Sequence, residues 1–183
     1  MKAWLLTSTF YGTWLPGDER GFVSRVRDRR PDEALLHQRH QHDQYGEAFD
    51  ADLAGLRESA RQSMRGPAIQ IRIDQAHVLL AQFQETAQFR NWGLHAVAIM
   101  AEHVHWVVTL PETSHGSIGL RDFKSYGSCA LTQRFGQPES ETWWTSKGSN
   151  RWLPDEAALL AAIEYVRNQQ SPLLIWINPH TRV

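Results

Sequence analysis

Two imidazoles one residue apart are the first hint of chemistry. His103-Val104-His105 lies inside HVHWVVTL, a run rich in β-branched and aromatic residues. Side chains on a strand alternate, so positions 103 and 105 point the same way. Two imidazoles a strand repeat apart can hold one divalent metal. The plainer alternative is a hydrogen-bonded packing pair, although His is not a natural core residue. Val104 and Val107 are expected on the opposite face. Trp106 shares that parity with Val104 and Val108, so the faces are not cleanly divided. A second pair, His40-Gln41-His42, sits in a polar stretch without strand pattern and reads as a solvated cluster.

The second feature is Tyr165, in AAIEYVRNQQSP. Helical spacing puts Gln169 on the same face one turn later. A phenol can act as a nucleophile on a phosphodiester where a metal polarises the phosphate, and an amide oxygen can complete a metal shell. The alternative role for Tyr165 is packing along an amphipathic helix.

Elements must position these groups. Residues 2–10 read as a strand, followed by a loop marked by Pro16, Gly17 and Gly21. Residues 24–66 form a polar excursion with a modest helix over 51–65. The alternation in 68–73 (AIQIRI) predicts a half-buried strand. Asp74 is the expected N-cap of a helix over 75–89, with Val78, Leu79, Ala81, Gln82, Phe83 and Phe89 on its apolar side. Residues 92–100 and 103–110 read as an antiparallel hairpin joined by Ala101-Glu102. A long helix is expected over 117–135 and a small hairpin over 142–153. A final helix starts after Pro154 and runs to about Gln170, and the tail LLIWINPHTRV suits an edge strand. Hairpin-paired strands with helices gathered on them make an α+β layer.

Composition bounds the rest. The chain has 183 residues, 42% hydrophobic and 21% charged, which suits one globular domain over 1–183 with an excursion. One cysteine, Cys129, excludes an internal disulfide framework and a Cys-rich zinc site. No run reaches the ~18 apolar residues of a membrane helix, and no signal peptide is read, so a cytoplasmic protein without membrane contact is expected. The net charge of −1 argues against a broad electrostatic footprint on nucleic acid, not against a local one. Sixteen of the nineteen basic residues are Arg, the better residue for phosphate and base contacts. No Gly-rich phosphate loop occurs.

The motifs in order carry a resemblance. A strand with His-x-His precedes a helix with Phe123-Lys124-Ser125-Tyr126. Then come Trp143-Trp144-Thr145, Gly148-Ser149, Arg151-Trp152-Leu153 and a last helix with Tyr165-Val166. The opening Leu6-Thr7, Tyr11-Gly12-Thr13-Trp14-Leu15-Pro16-Gly17-Asp18 and Arg20-Gly21 adds to it. The chain resembles the single-tyrosine HUH transposases, and within them is most similar to the REP-associated tyrosine transposases. The match runs over nearly the whole chain and is least distinctive over 24–66. It departs in having Ala101-Glu102 where the family often has Pro-Asn or Pro-Asp, and Asn168-Gln169-Gln170-Ser171-Pro172 after the tyrosine helix.

The resemblance implies a ferredoxin-like antiparallel sheet with helices packed on it. It implies His103 and His105 as metal ligands, Tyr165 as nucleophile, and Gln169 as third ligand, with Gln170 as fallback. It implies Mg²⁺ or Mn²⁺, although imidazoles alone suit other metals too. The implied reaction cleaves and rejoins single-stranded DNA near hairpins through a 5′-phosphotyrosine. DNA contacts are then expected from Trp14, Arg20, Lys124, Trp143, Trp144, Lys147 and Arg151, with Lys124 nearest the site. Some relatives share active sites between two subunits through an exchanged tyrosine helix, so a homodimer stays open. Two other readings stand beside this one: a non-catalytic hairpin binder, and a hydrolase using His103, His105 and Glu102 to activate water without a covalent intermediate.

Overall fold

The computed structural model describes residues 1–19, 26–27, 40–41 and 53–180. It forms two compact units, one of residues 1–13 with 65–183 and one of residues 14–64. In the smaller unit β2 (Val26–Arg27) pairs antiparallel with β3 (His40–Gln41), and α1 covers Ala54–Gln62. That helix is shorter than the expected 51–65.

The larger unit is built on a five-stranded sheet. Its elements are β1 (Lys2–Thr9), α2 (Ile73–Phe89), β4 (Gly93–Ile99), β5 (His103–Leu110), α3 (Gly116–Phe135), β6 (Ser149–Leu153), α4 (Glu156–Arg167) and β7 (Leu174–Ile177). The strand order is β6-β1-β5-β4-β7, and every neighbouring pair is antiparallel. β1 and β4 are therefore parallel with β5 between them, joined through α2. β5 and β6 are parallel with β1 between them, joined through α3. Two interleaved β-α-β units of this kind define the ferredoxin-like α+β pattern. β7 then extends the sheet beyond β4, reached through α4.

Strand parity divides the residues between two layers. Trp4, Leu6, Val104, Trp106, Val108 and Leu110 face α2 and α3, where they meet Leu79, Phe83, Leu120, Phe123 and Leu131. Trp106 is fully buried there. Its ring lies parallel to Phe123 at 5.7 Å and edge-on to Phe83 at 5.1 Å. Burial of a large aromatic side chain of this kind contributes on the order of 2–3 kcal/mol.

The other face carries Ala96, Ala98, Val107 and Leu153, covered by Ala162, Ile163 and Val166 of α4. Leu159, Ala162, Ile163 and Val166 follow the spacing of one helical stripe. α4 begins at Asp155, whose carboxylate accepts from the Ala158 amide at 2.8 Å, with Glu156 in the first turn where the dipole favours it. Val107 thus lies on the same face as His103 and His105, not opposite them. Strand alternation requires this, because all three positions are odd.

Four further expectations are corrected. Residues 68–72 are extended but join no ladder. Ile69 N donates to Tyr11 O and Ile71 N to Ala101 O, so alternate amides are satisfied by loop ends beside the sheet. The alternation is real, since Ile71 is buried and Ile69 packs on the core, but it marks a strap over the core edge. Position 73 already starts α2, and Arg72 takes the N-cap place expected of Asp74. Phe89 is 77% exposed and not part of the apolar side. Finally, 142–153 is no hairpin: β6 pairs with β1, and the preceding segment meets the end of β1 through a Phe10–Trp144 bridge and the Thr145 amide, which donates to the Thr9 carbonyl.

Candidate active site

β5 presents both imidazoles to the face that α4 covers. In the ladder Thr9 stands opposite His103, Thr7 opposite His105, and Ala98 lies on the other side of His105. The two rings have centroids 4.9 Å apart with planes at 82°. His105 is 6% exposed. Its Nδ1 shares a 2.7 Å hydrogen bond with Thr7 Oγ1. Burial, and then the neighbouring His103, push its pKa down to about 4, so the ring is neutral near pH 7. A neutral imidazole is the form that ligates a metal.

α4 carries Tyr165 to the same place. Its ring stands edge-on to His105 with centroids 5.3 Å apart, and 48% of the residue is exposed. The phenol therefore sits at the rim, with the buried imidazole behind it. The helix ends at Asn168. Gln169 Nε2 donates to the Tyr165 carbonyl at 3.0 Å, which keeps Gln169 at that helix end, one turn on. Gln170 is exposed. His103, His105 and Tyr165 come together as the sequence spacing suggests.

Hydroxyls extend the site toward the β6 edge. Residues opposite one another in a ladder share a face. Ser149 lies beside Thr7 and Arg151 beside Leu5, so both belong to the α4 face. Arg151 is exposed. Thr9 Oγ1 and Thr145 Oγ1 are 3.0 Å apart, beside His103. Sequence reasoning missed Thr7, Thr9 and Thr145. Parity alone puts Thr7 and Thr9 on one face of β1, but only the register reveals which residues of β5 they meet.

The expected DNA contacts fare unevenly. Lys124 belongs to α3, in the layer on the other face of the sheet. Its ammonium donates to the carbonyls of Thr145 and Lys147, and burial lowers its pKa to about 8. It holds the 145–147 loop, whose Thr145 hydroxyl stands 3.0 Å from that of Thr9. Trp143 and Trp144 are buried: Trp143 Nε1 donates to Thr132 Oγ1, and Trp144 stacks on Phe10 at 4.4 Å. Neither ring is open to a base. The side chain of Lys147 is exposed. Trp14 lies in the 14–64 unit, and Arg20 and His42 lie outside the described residues.

Two imidazoles, one of them hydrogen-bonded through Nδ1 to Thr7, suit a divalent cation, and an amide oxygen from Gln169 would make a mixed nitrogen and oxygen set. Among the described residues no group of three or more His, Cys, Asp or Glu gathers. Glu102 is in the β4–β5 turn, where its carboxylate accepts from Gln70 Nε2 at 3.1 Å. Among the described residues no helix is long and apolar enough to cross a membrane.

No family model matches the chain. No curated protein matches it either. Two solved structures are similar in fold. One is a REP-associated tyrosine transposase bound to a REP hairpin, at 13% identity and a TM-score of 0.46, covering 90% of this chain. This chain spans 64% of that structure's chain, less than two thirds of it. The other, provisionally assigned as a transposase, is from Deinococcus radiodurans R1. It has 11% identity and a TM-score of 0.46, with 92% of each chain covered.

Proposed function

We propose that the protein is a metal-dependent strand transferase acting on single-stranded DNA at hairpin-associated sites. The observation that carries this reading is the edge-on approach of Tyr165 to His105 across α4 and β5. A helix that served packing alone would have no need to bring a half-exposed phenol to a pair of imidazoles.

Mg²⁺ or Mn²⁺ held by His103, His105 and Gln169 would supply charge for polarising the scissile phosphate. The remaining work falls to the chain. Tyr165 Oη attacks phosphorus and forms the new P–O bond. The bond from phosphorus to the 3′ oxygen breaks, the phenolic proton is lost to solvent, and the leaving oxygen takes up a proton. The products are a 5′-phosphotyrosine and a free 3′-OH. Attack by another 3′-OH reverses the step and rejoins DNA without an external energy source. Burial of His105 and its bond to Thr7 keep that ring neutral and fixed. The exposed Arg151 and the Ser149 hydroxyl offer phosphate contacts on the same face.

The test is covalent trapping. The protein is incubated with labelled single-stranded hairpin DNA from the flanks of its own gene, with Mn²⁺ or Mg²⁺, and run on a denaturing gel. A slower protein–DNA band is expected, dependent on metal and absent in Tyr165→Phe and His103→Ala. Cleaved DNA without an adduct would point to a hydrolase. Tight binding with neither product would point to a non-catalytic hairpin binder.

A further inference from the structure

The hydrogen bond between Thr7 and His105 joins residues 98 positions apart in the chain. It lies between the central strands β1 and β5, in a register that sets the two residues directly opposite one another. Ala98 flanks His105 on the other side with no polar group in its side chain. The ring is 6% exposed, so bulk water has little part in choosing which nitrogen carries the proton. An imidazole that ligates through one nitrogen generally donates its other N–H to a fixed acceptor.

From this, and resting on the metal reading proposed above, we infer that Thr7 is a positioning residue that fixes the tautomer of His105. In this arrangement the Nδ1–H donates to Thr7 Oγ1, and Nε2 is left unprotonated and able to ligate. Thr7 touches neither substrate nor nucleophile in this role. It acts through the imidazole. Its place in β1 makes it part of the sheet, so the orientation of the ring is set by strand pairing before any ligand arrives.

The experiment uses the full chain, metal-free and ¹⁵N-labelled at histidine, near pH 7.5. Long-range ¹H–¹⁵N spectra report which ring nitrogen of His105 is protonated, with His105→Gln used to assign the signal. The expected result is an Nδ1–H signature in the wild type and in Thr7→Ser. Thr7→Val, close in shape and still β-branched, should shift toward the Nε2–H form or a mixture, while far-UV circular dichroism stays unchanged. A wild-type His105 protonated on Nε2, or a Thr7→Val spectrum identical to wild type, would overturn the inference. A parallel Mn²⁺ titration by electron paramagnetic resonance should show weaker binding in Thr7→Val by roughly 10–100-fold, with Thr7→Ser near wild type. Equal Mn²⁺ binding in wild type and Thr7→Val would also overturn it. A wild type that binds no Mn²⁺ would instead sink the metal reading, and the tautomer spectra would still decide the role of Thr7.

Discussion

The ring of Tyr165 stands edge-on to that of His105, with centroids 5.3 Å apart and planes at 75°. One residue comes from the last helix and the other from the middle of the sheet. The sheet side of the pair is buried and the helix side half-exposed. Tyr165 is therefore reachable from solvent while the imidazole stays in a fixed, low-dielectric setting.

Tyr165→Phe separates chemistry from fold. The ring and its contact with His105 remain and only the hydroxyl of a half-exposed residue is lost, so the thermal midpoint should stay within a degree or two, corresponding to roughly 0.5 kcal/mol or less. The covalent DNA adduct should disappear entirely while DNA affinity persists. Differential scanning fluorimetry beside the trapping gel checks both halves.

His105 makes stability depend on acid. Its folded pKa of about 4 lies below the ordinary value of 6.5. Between those values the unfolded chain binds a proton that the folded chain does not. Its contribution is thus fully present above pH 6.5 and is lost as pH falls toward 4, by up to about 3 kcal/mol. Urea unfolding at pH 7, 5.5 and 4.5 should show that fall, and His105→Gln should show a shallower one.

Gly116→Ala should destabilise the α3 layer. A Cβ at this position would meet the buried Trp4 ring at 2.6 and 2.8 Å. The indole is held by the sheet below and by His115, edge-on at 4.8 Å, so it cannot swing aside cheaply. Overpacking of this kind costs about 1–3 kcal/mol. The midpoint of chemical denaturation should fall accordingly, and an unchanged midpoint would mean that Trp4 yields after all.

Arg151 and Lys124 should behave differently toward DNA. Arg151 is exposed on the α4 face, whereas the Lys124 ammonium is tied to the carbonyls of Thr145 and Lys147. Arg151→Ala should flatten the salt dependence of single-strand binding by about 0.7 in the log–log slope, the loss of one phosphate contact. Lys124→Met should leave that slope unchanged and instead loosen the 145–147 loop, read as faster amide exchange there.

Much of the fold is legible in the sequence, and the limits have a common cause. The strand and helix periods of 2–10, 92–100, 103–110, 117–135 and the helix after Pro154 are local signals, and they carry the His pair, Tyr165 and the alternation of layers. Period two over 68–73 was equally clear, but it reports which side chains are buried and not which backbone accepts the amides. Ile69 and Ile71 satisfy it while bonding to loop ends. The same gap explains Lys124 and the 142–153 segment. Lys124 follows the His strand in sequence, but no local pattern states that its ammonium is engaged by the carbonyls of Thr145 and Lys147. Thr7 was invisible as a site residue for a related reason: its partner is fixed by register, which no local pattern states.

The register of β1 also has a consequence for the order of assembly. Thr7 meets His105 from 98 residues away, and Tyr165 arrives later still, from beyond β6. Contacts of such long range close late and slowly, since their loop entropy must be overcome first. During synthesis β1 emerges without a partner and waits for β5 and β6, and the phenol can join the imidazoles only after α4 has left the ribosome. A nascent chain ending before α4 would thus hold no phenol beside the His pair, and the Tyr165–His105 contact would be among the last the folding chain acquires.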